Sequence, residues 1–133
     1  MALMEWSKEL SVDIDLIDEQ HKKLISYVND LHENMKVGKG KDIISKILDG
    51  LIEYTKFHFN TEEELFAKYN YPERENHVSE HHFFVDKVKK FQDDFNNGRL
   101  SVTIEVFQFL NNWVTNHIKV IDKKYSPFLK GKM

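Results

Sequence analysis

At 133 residues the chain has room for one domain and one core, too little for a two-domain enzyme. Five glycines and two prolines are too few for the turns of a β-rich fold, while 41% apolar and 31% charged residues suit a helical globular protein rather than a disordered or fibrous one. The net charge of −3 offers no basic footprint for nucleic acid or an anionic membrane, and zero cysteines exclude disulfides, thiolate zinc sites, iron–sulfur clusters and cysteine nucleophiles, leaving His, Asp and Glu as the only metal donors.

Residues 1–17 mix apolar and polar positions without a helical period and read as an irregular N-terminal arm, with Trp6 and Leu10 placed to cover an end of the core. The opening Met-Ala-Leu-Met-Glu-Trp carries neither a basic segment nor an apolar run of signal-peptide length, and no stretch nears the ~18 apolar residues of a membrane span. A cytoplasmic protein without membrane insertion is expected. From Asp18, a suitable N-cap, Leu24, Val28, Leu31 and Met35 recur every three or four residues up to Gly38-Lys39-Gly40, which predicts a first helix over 18–37. Ile44, Ile47, Leu48, Leu51, Ile52, Tyr54, Phe57 and Phe59 carry an apolar face on to Phe66, until Asn70-Tyr71-Pro72 forces a stop, so the second helix spans 41–69. Val78, Phe84, Val85, Val88, Phe91 and Phe95 stripe a third helix over 73–96, closed by Asn96-Asn97-Gly98. The fourth begins near Thr103, carries Phe107, Leu110, Val114, Ile118 and Ile121, and is expected to end before Pro127. Turns of a few residues make neighbouring helices antiparallel. The expected fold is all-α, an up-down-up-down four-helix bundle over 18–126, with the arm at 1–17 and a C-terminal tail at 127–133 of one domain.

Chemistry concentrates in the histidines. His58 and Glu62 are spaced i, i+4, as are His77 and His81, so each pair shares a helix face one turn apart. In an antiparallel hairpin, residues equidistant from the turn lie at one height. The pairs His21/His58, His58/His81 and His81/His117 have their midpoints at 39.5, 69.5 and 99, each at or beside a predicted turn. Four helices therefore bring four histidines to one level, with Glu62 and His77 together one turn away. Asp122 follows His117 by five residues, about 140° off its face in an ideal α-helix. Its joining the others requires a local i→i+5 widening, the π-bulge that often marks functional sites.

Donor number then limits the metal. Five imidazole nitrogens and two carboxylates using both oxygens make nine bonds, too many for one tetrahedral zinc ion, so two metals are implied. A shared oxide or hydroxide completes six bonds at a metal with three His and five at a metal with two. One open position of diatomic size remains. Imidazole and carboxylate donors suit iron, and two ferric ions with an oxide and two carboxylates carry about +2, tolerable within the bundle.

These residues resemble the ligand motifs of the hemerythrin family: His21, the His58-Phe59-Asn60-Thr61-Glu62 run, the His77-Val78-Ser79-Glu80-His81 run and the run from His117 to Asp122. Glu5-Trp6, Ser11-Val12, Ile17-Asp18-Glu19-Gln20 and Tyr125 extend the likeness over nearly the whole chain, and the arm with the 36-residue interval from His81 to His117 resembles the family's single-domain bacterial branch. The resemblance implies one iron on His77, His81 and His117, a second on His21 and His58, and bridging by Glu62, Asp122 and an oxide or hydroxide. It further implies reversible O₂ binding at the two-His iron, in a pocket lined by Leu24, Phe59, Trp113 and Val120. Trp113, four residues before His117, shares its face on helical geometry alone.

A lone histidine on an amphipathic helix is ordinarily structural, and the argument for metal rests on the shared height. His82 projects about 100° from His81 and His32 lies about 16 Å along the helix from His21, so neither is expected to be a ligand. Glu62-Glu63-Glu64 reads as a solvated face with only Glu62 turned inward. The expected function is O₂ storage, delivery to oxygen-consuming enzymes or sensing, by a monomer that is not an enzyme. The competing functions are a di-iron oxidase, peroxidase or nitric-oxide-handling enzyme, and an iron reservoir. Ferritin-like di-iron enzymes use Glu-x-x-His pairs and more carboxylates. No such pair occurs here. Neutral imidazoles stabilise high-valent iron less than carboxylates do, which favours reversible binding.

Overall fold

The computed structural model describes residues 4–38, 41–98 and 103–132. Three helices, α1 (Asp15–Lys36), α2 (Lys41–Tyr69) and α3 (Arg74–Asn96), precede a composite fourth rod made of α4 (Thr103–Asn116), a π-helical segment (His117–Asp122) and α5 (Lys123–Lys130). Chain order and the short links between rods make this the expected up-down-up-down four-helix bundle, and no strand occurs among the described residues. No helix is long and apolar enough to cross a membrane, among the described residues.

The helix ends follow their local chemistry. Gly38 (φ +76°) and Gly98 (φ +84°) take the left-handed conformation that closes α1 and α3, each donating its N–H three residues back, to Met35 and Phe95. Asn70 (φ +56°) plays the same part after α2, where the Tyr71 N–H returns to the Phe66 carbonyl at 3.0 Å. Lys39 and Gly40 of the predicted first turn lie outside the described residues, as do residues 1–3 of the arm and 133 of the tail.

Two boundaries differ from expectation. Helix α1 starts at Asp15, so Asp18 is inside it rather than at its N-cap. The Asp18 carboxylate instead accepts from Ser11 Oγ at 2.5 Å and from the Val12 N–H at 2.8 Å, tying the arm down. At the other end Pro127 does not stop the fourth rod, which runs to Lys130. A proline inside a helix costs about 3 kcal/mol, and full burial of a large apolar side chain returns about 1.5–3 kcal/mol. Tyr125 and Leu129 are both fully buried, which covers that cost.

The apolar interior falls into two clusters. The larger includes Leu10, Leu24, Val28, Phe59, Phe84, Leu110, Val114 and Ile118, with Trp6 and Trp113 packed at its edge. The smaller gathers Val12, Ile14, Ile17, Phe66, Tyr71, Tyr125 and Leu129. The arm is thus partly built into the core, and reciprocal bonds between Asn29 and the Met4 backbone, both 2.8 Å, fasten its start to α1.

Candidate metal centre

Between the two apolar clusters lies a polar layer. His21, His58, Glu62, His77, His81, His117 and Asp122 are all buried; the His21 and His58 rings lie 4.6 Å apart, those of His81 and His117 5.2 Å apart, and His58 and His81 meet at Glu62. Burying seven ionisable side chains is costly unless each finds a partner. Yet the Nε2 atoms of His21, His77, His81 and His117, Glu62 Oε1 and both Asp122 carboxylate oxygens find no hydrogen-bond partner there. They converge on one another instead. His77 Nε2 and His117 Nε2 approach Asp122 Oδ1 at 2.9 and 3.0 Å, and His21 Nε2 approaches Oδ2 at 3.0 Å. His58 Nε2 and His81 Nε2 approach Glu62 Oε1 at 3.4 and 3.2 Å. Two donors each about 2.1 Å from one ion and at right angles to each other are separated by about 3 Å, so these spacings suit shared coordination.

The donor atoms divide into two overlapping sets, each within 4.8 Å: Glu62, His77, His81, His117 and Asp122, and then His21, His58, Glu62 and Asp122. One position has three imidazoles and the other two, and both carboxylates belong to each. The donors present fit a pair of imidazole- and carboxylate-binding ions.

Asp122 reaches the layer because residues 117–122 are π-helical, the widening that its spacing from His117 demanded. The same widening corrects one expectation. Val120 is 48% exposed and does not line an interior pocket, because the π turn rotates it outward while Ile118 turns in. Of the other predicted pocket residues, Leu24 is buried in the main cluster. The Phe59 ring stacks on His81 at 3.7 Å, and Trp113 stacks on His117 at 4.3 Å. Phe66 and Tyr125 flank His77 from the opposite side, at 4.8 and 5.5 Å between ring centroids. His82 is exposed and His32 sets its ring edge against Phe107, both away from the cluster as expected.

Four groups around the layer were given no contact with it from sequence, although Gln20, Glu80 and Tyr125 stand in the stretches that carry the family likeness. Gln20 Oε1 accepts from His58 Nδ1 at 2.7 Å, Glu63 from His81 Nδ1 at 2.9 Å, and Glu80 from His117 Nδ1 at 3.4 Å. Each bond puts the ring proton on Nδ1 and leaves Nε2 free to face the layer. Tyr125 donates its hydroxyl to Glu62 Oε2. The solvated reading of Glu63 is therefore corrected: it folds over the groove between α2 and α3 to reach His81. The sequence signals were Glu63's place beside Glu62 and the presence of Gln20, Glu80 and Tyr125 in the stretches that carry the family likeness.

Without metal, protons supply the compensating charge. Burial and Asp122 push the Glu62 carboxyl up, but His58 and His81 outweigh them and hold it down at about 2. Burial likewise raises Asp122, and the imidazoles of His117, His21 and His77 bring it well below the usual range. Burial lowers His81, whereas the carboxylates of Glu62 and Glu63 on its two ring nitrogens carry it up to about 9. His117 is raised by Asp122 against burial, and burial dominates at His58, which falls to about 4. Burial next to Glu62 and Asp122 keeps Tyr125 protonated far above the ordinary phenol range.

The model of the hemerythrin HHE cation-binding domain family matches residues 12–129. The bacteriohemerythrin of Methylococcus capsulatus is 35% identical over 132 residues, covering 98% of this chain and 100% of that protein. That of Stenotrophomonas maltophilia is 31% identical over 133 residues, covering 100% of this chain and 86% of the other. A hemerythrin-like protein of Naegleria gruberi is 33% identical over 124 residues, covering 93% and 92%. A crystal structure of wild-type hemerythrin superposes with a TM-score of 0.89 at 35% identity, covering 96% of this chain and 98% of that one.

Proposed function

The chain belongs to the hemerythrin family, and from that premise we propose that it is a reversible O₂ carrier, serving storage, delivery to oxygen-requiring enzymes or sensing. Family and site together support O₂ binding at a non-haem di-iron centre. The observation that carries the reading is the division of seven buried donors into two sets that share Glu62 and Asp122. On this reading His77, His81 and His117 would hold one iron, His21 and His58 the other, and Glu62 and Asp122, which belong to both donor sets, would serve both. Such an iron pair would supply reversible electron transfer to O₂.

The protein's part is to position and to exclude. Gln20, Glu63 and Glu80 engage Nδ1 of His58, His81 and His117, so that Nε2 of each ring is turned to the metal positions. Tyr125 holds one oxygen of Glu62 and stays protonated there, a donor committed to the carboxylate. Leu24, Phe59 and Trp113 supply the apolar walls that keep water and free acids from the gas-binding position. Among the described residues the layer offers few mobile proton donors, which supports carriage over turnover on this reading.

Iron analysis combined with visible spectra of the reduced protein, with and without O₂, tests this reading. Two irons per chain and an absorption band that appears with O₂ and vanishes on its removal are expected. Stopped-flow mixing that shows immediate, irreversible conversion to the ferric form would instead mark a redox enzyme, and iron without any O₂-dependent band a reservoir.

A further inference from the structure

The groups behind the imidazoles are not the same on the two sides of the layer. On the three-His side the Nδ1–H groups of His81 and His117 point at carboxylates, Glu63 at 2.9 Å and Glu80 at 3.4 Å. On the two-His side His58 points at the neutral amide of Gln20, and His21 Nδ1 has no partner among the described residues. The Gln20 amide is itself oriented, its NH₂ directed toward Thr61 Oγ1 at 3.4 Å, so its oxygen is the atom presented to the ring.

Building on the di-iron reading, we propose that this chain sets its two metal positions at different redox potentials. Glu63 and Glu80 make the three-His position the one that more readily holds Fe(III), and Gln20 keeps the two-His position ferrous for longer. A carboxylate accepting the Nδ1–H draws that proton toward itself and returns negative charge to the ring, so Nε2 becomes a stronger donor and favours the more highly charged ion. An amide oxygen carries no net charge and does this much less. The step concerned is the loss of one electron from Fe(II), giving Fe(III), to a redox mediator, with no bond made or broken at the protein. Three neutral imidazoles alone would favour ferrous iron, so the carboxylates act against the bare donor count.

The two carboxylates are not equivalent. Glu63 makes the shorter bond and its side chain is 31% exposed, whereas Glu80 makes the longer one and is 39% exposed. Glu63 walls a groove of about 320 Å³ between α2 and α3, beside Lys56 and His82, with the Phe59 and His81 rings at its floor. Solvent there screens its charge on one side only. Glu63 is therefore the stronger determinant.

Mediated redox titration of the ⁵⁷Fe-loaded protein under nitrogen, with Mössbauer spectra at each poise, reads which position is oxidised at which potential. Glu63→Gln keeps an acceptor for His81 and removes the charge. It is expected to retain two irons and to shift the first oxidation about tenfold toward the ferrous form, a rise of about 59 mV for one electron. Glu80→Gln should move the same step in the same direction by less. Gln20→Glu should lower the potential of the other iron and narrow the gap between the two. Two irons retained in Glu63→Gln with unchanged midpoints overturns the proposal, as does Gln20→Glu acting on the iron that Glu63→Gln affects. Should Glu63→Gln not hold two irons, Gln20→Glu decides alone: a lowered second potential supports the proposal and an unmoved one overturns it. A wild-type protein that lacks two irons or an O₂-dependent band would instead refute the di-iron reading itself.

Discussion

His58 and His81 both face Glu62 Oε1, yet their surroundings drive them in opposite directions, and that contrast governs the metal-free protein. Burial holds His58 at about 4, so its neutral form stabilises the fold fully above the 6.5 of an unfolded imidazole, and this contribution is lost as pH falls through 4. His81, raised to about 9, stabilises fully below 6.5 and loses its contribution as pH rises through 9. Stability of the metal-free chain is expected to peak near pH 6.5, which urea unfolding across pH 4 to 9 measures; a steady rise toward pH 9 would show that His81 carries no proton. Metal must displace the proton that His81 carries at neutral pH, so adding Fe(II) anaerobically should release protons, read with a pH indicator. Replacing His58 or His117 by Ala should cut bound iron well below two per chain, and full retention of both metals would exclude that residue as a ligand.

The fourth rod shows how a local irregularity serves the site. A π segment is one residue more than an α-helix needs, and His117 and Asp122 lie at its two ends. Deleting the exposed Val120 leaves the two donors four residues apart, a spacing that an ordinary α-helix already brings to one face. That variant is expected to keep two irons and lose the π segment, as a crystal structure would show. Inserting an alanine after Lys119 swings Asp122 off the layer, and iron content should fall while far-UV circular dichroism stays helical. Beyond the segment, α5 is secured by packing despite Pro127. Leu129 is 0% exposed, and Leu129→Ala should cost about 2–5 kcal/mol in urea unfolding.

Taken whole, the molecule is two apolar clusters with a polar layer between them, crossed by all four rods and closed by the arm. Seven ionisable side chains are buried in that layer, and six of them have inward atoms without a hydrogen-bond partner among the described residues, which burdens the metal-free fold. Metal binds the folded layer and not the unfolded chain, so removing iron with a chelator should lower the midpoint of thermal unfolding, and restoring Fe(II) without oxygen should recover it. A midpoint indifferent to iron would mean that the layer is held by its protein contacts alone.

Periodicity carried the rods, because an apolar stripe at helical spacing has one economical way to bury itself, and the mirror-related histidines carried the layer, because short turns leave antiparallel neighbours no choice of height. The five-residue step to Asp122 even announced the π segment. Sequence did not reveal which way side chains point after that segment, and so misplaced Val120. Nor did it reveal that Glu63, Glu80 and Gln20 stand behind the imidazoles, or that Pro127 is carried inside a helix. Each of these depends on how one rod is rotated against the next, and that rotation is fixed by the packing of every side chain between them, a quantity no single stretch of sequence contains.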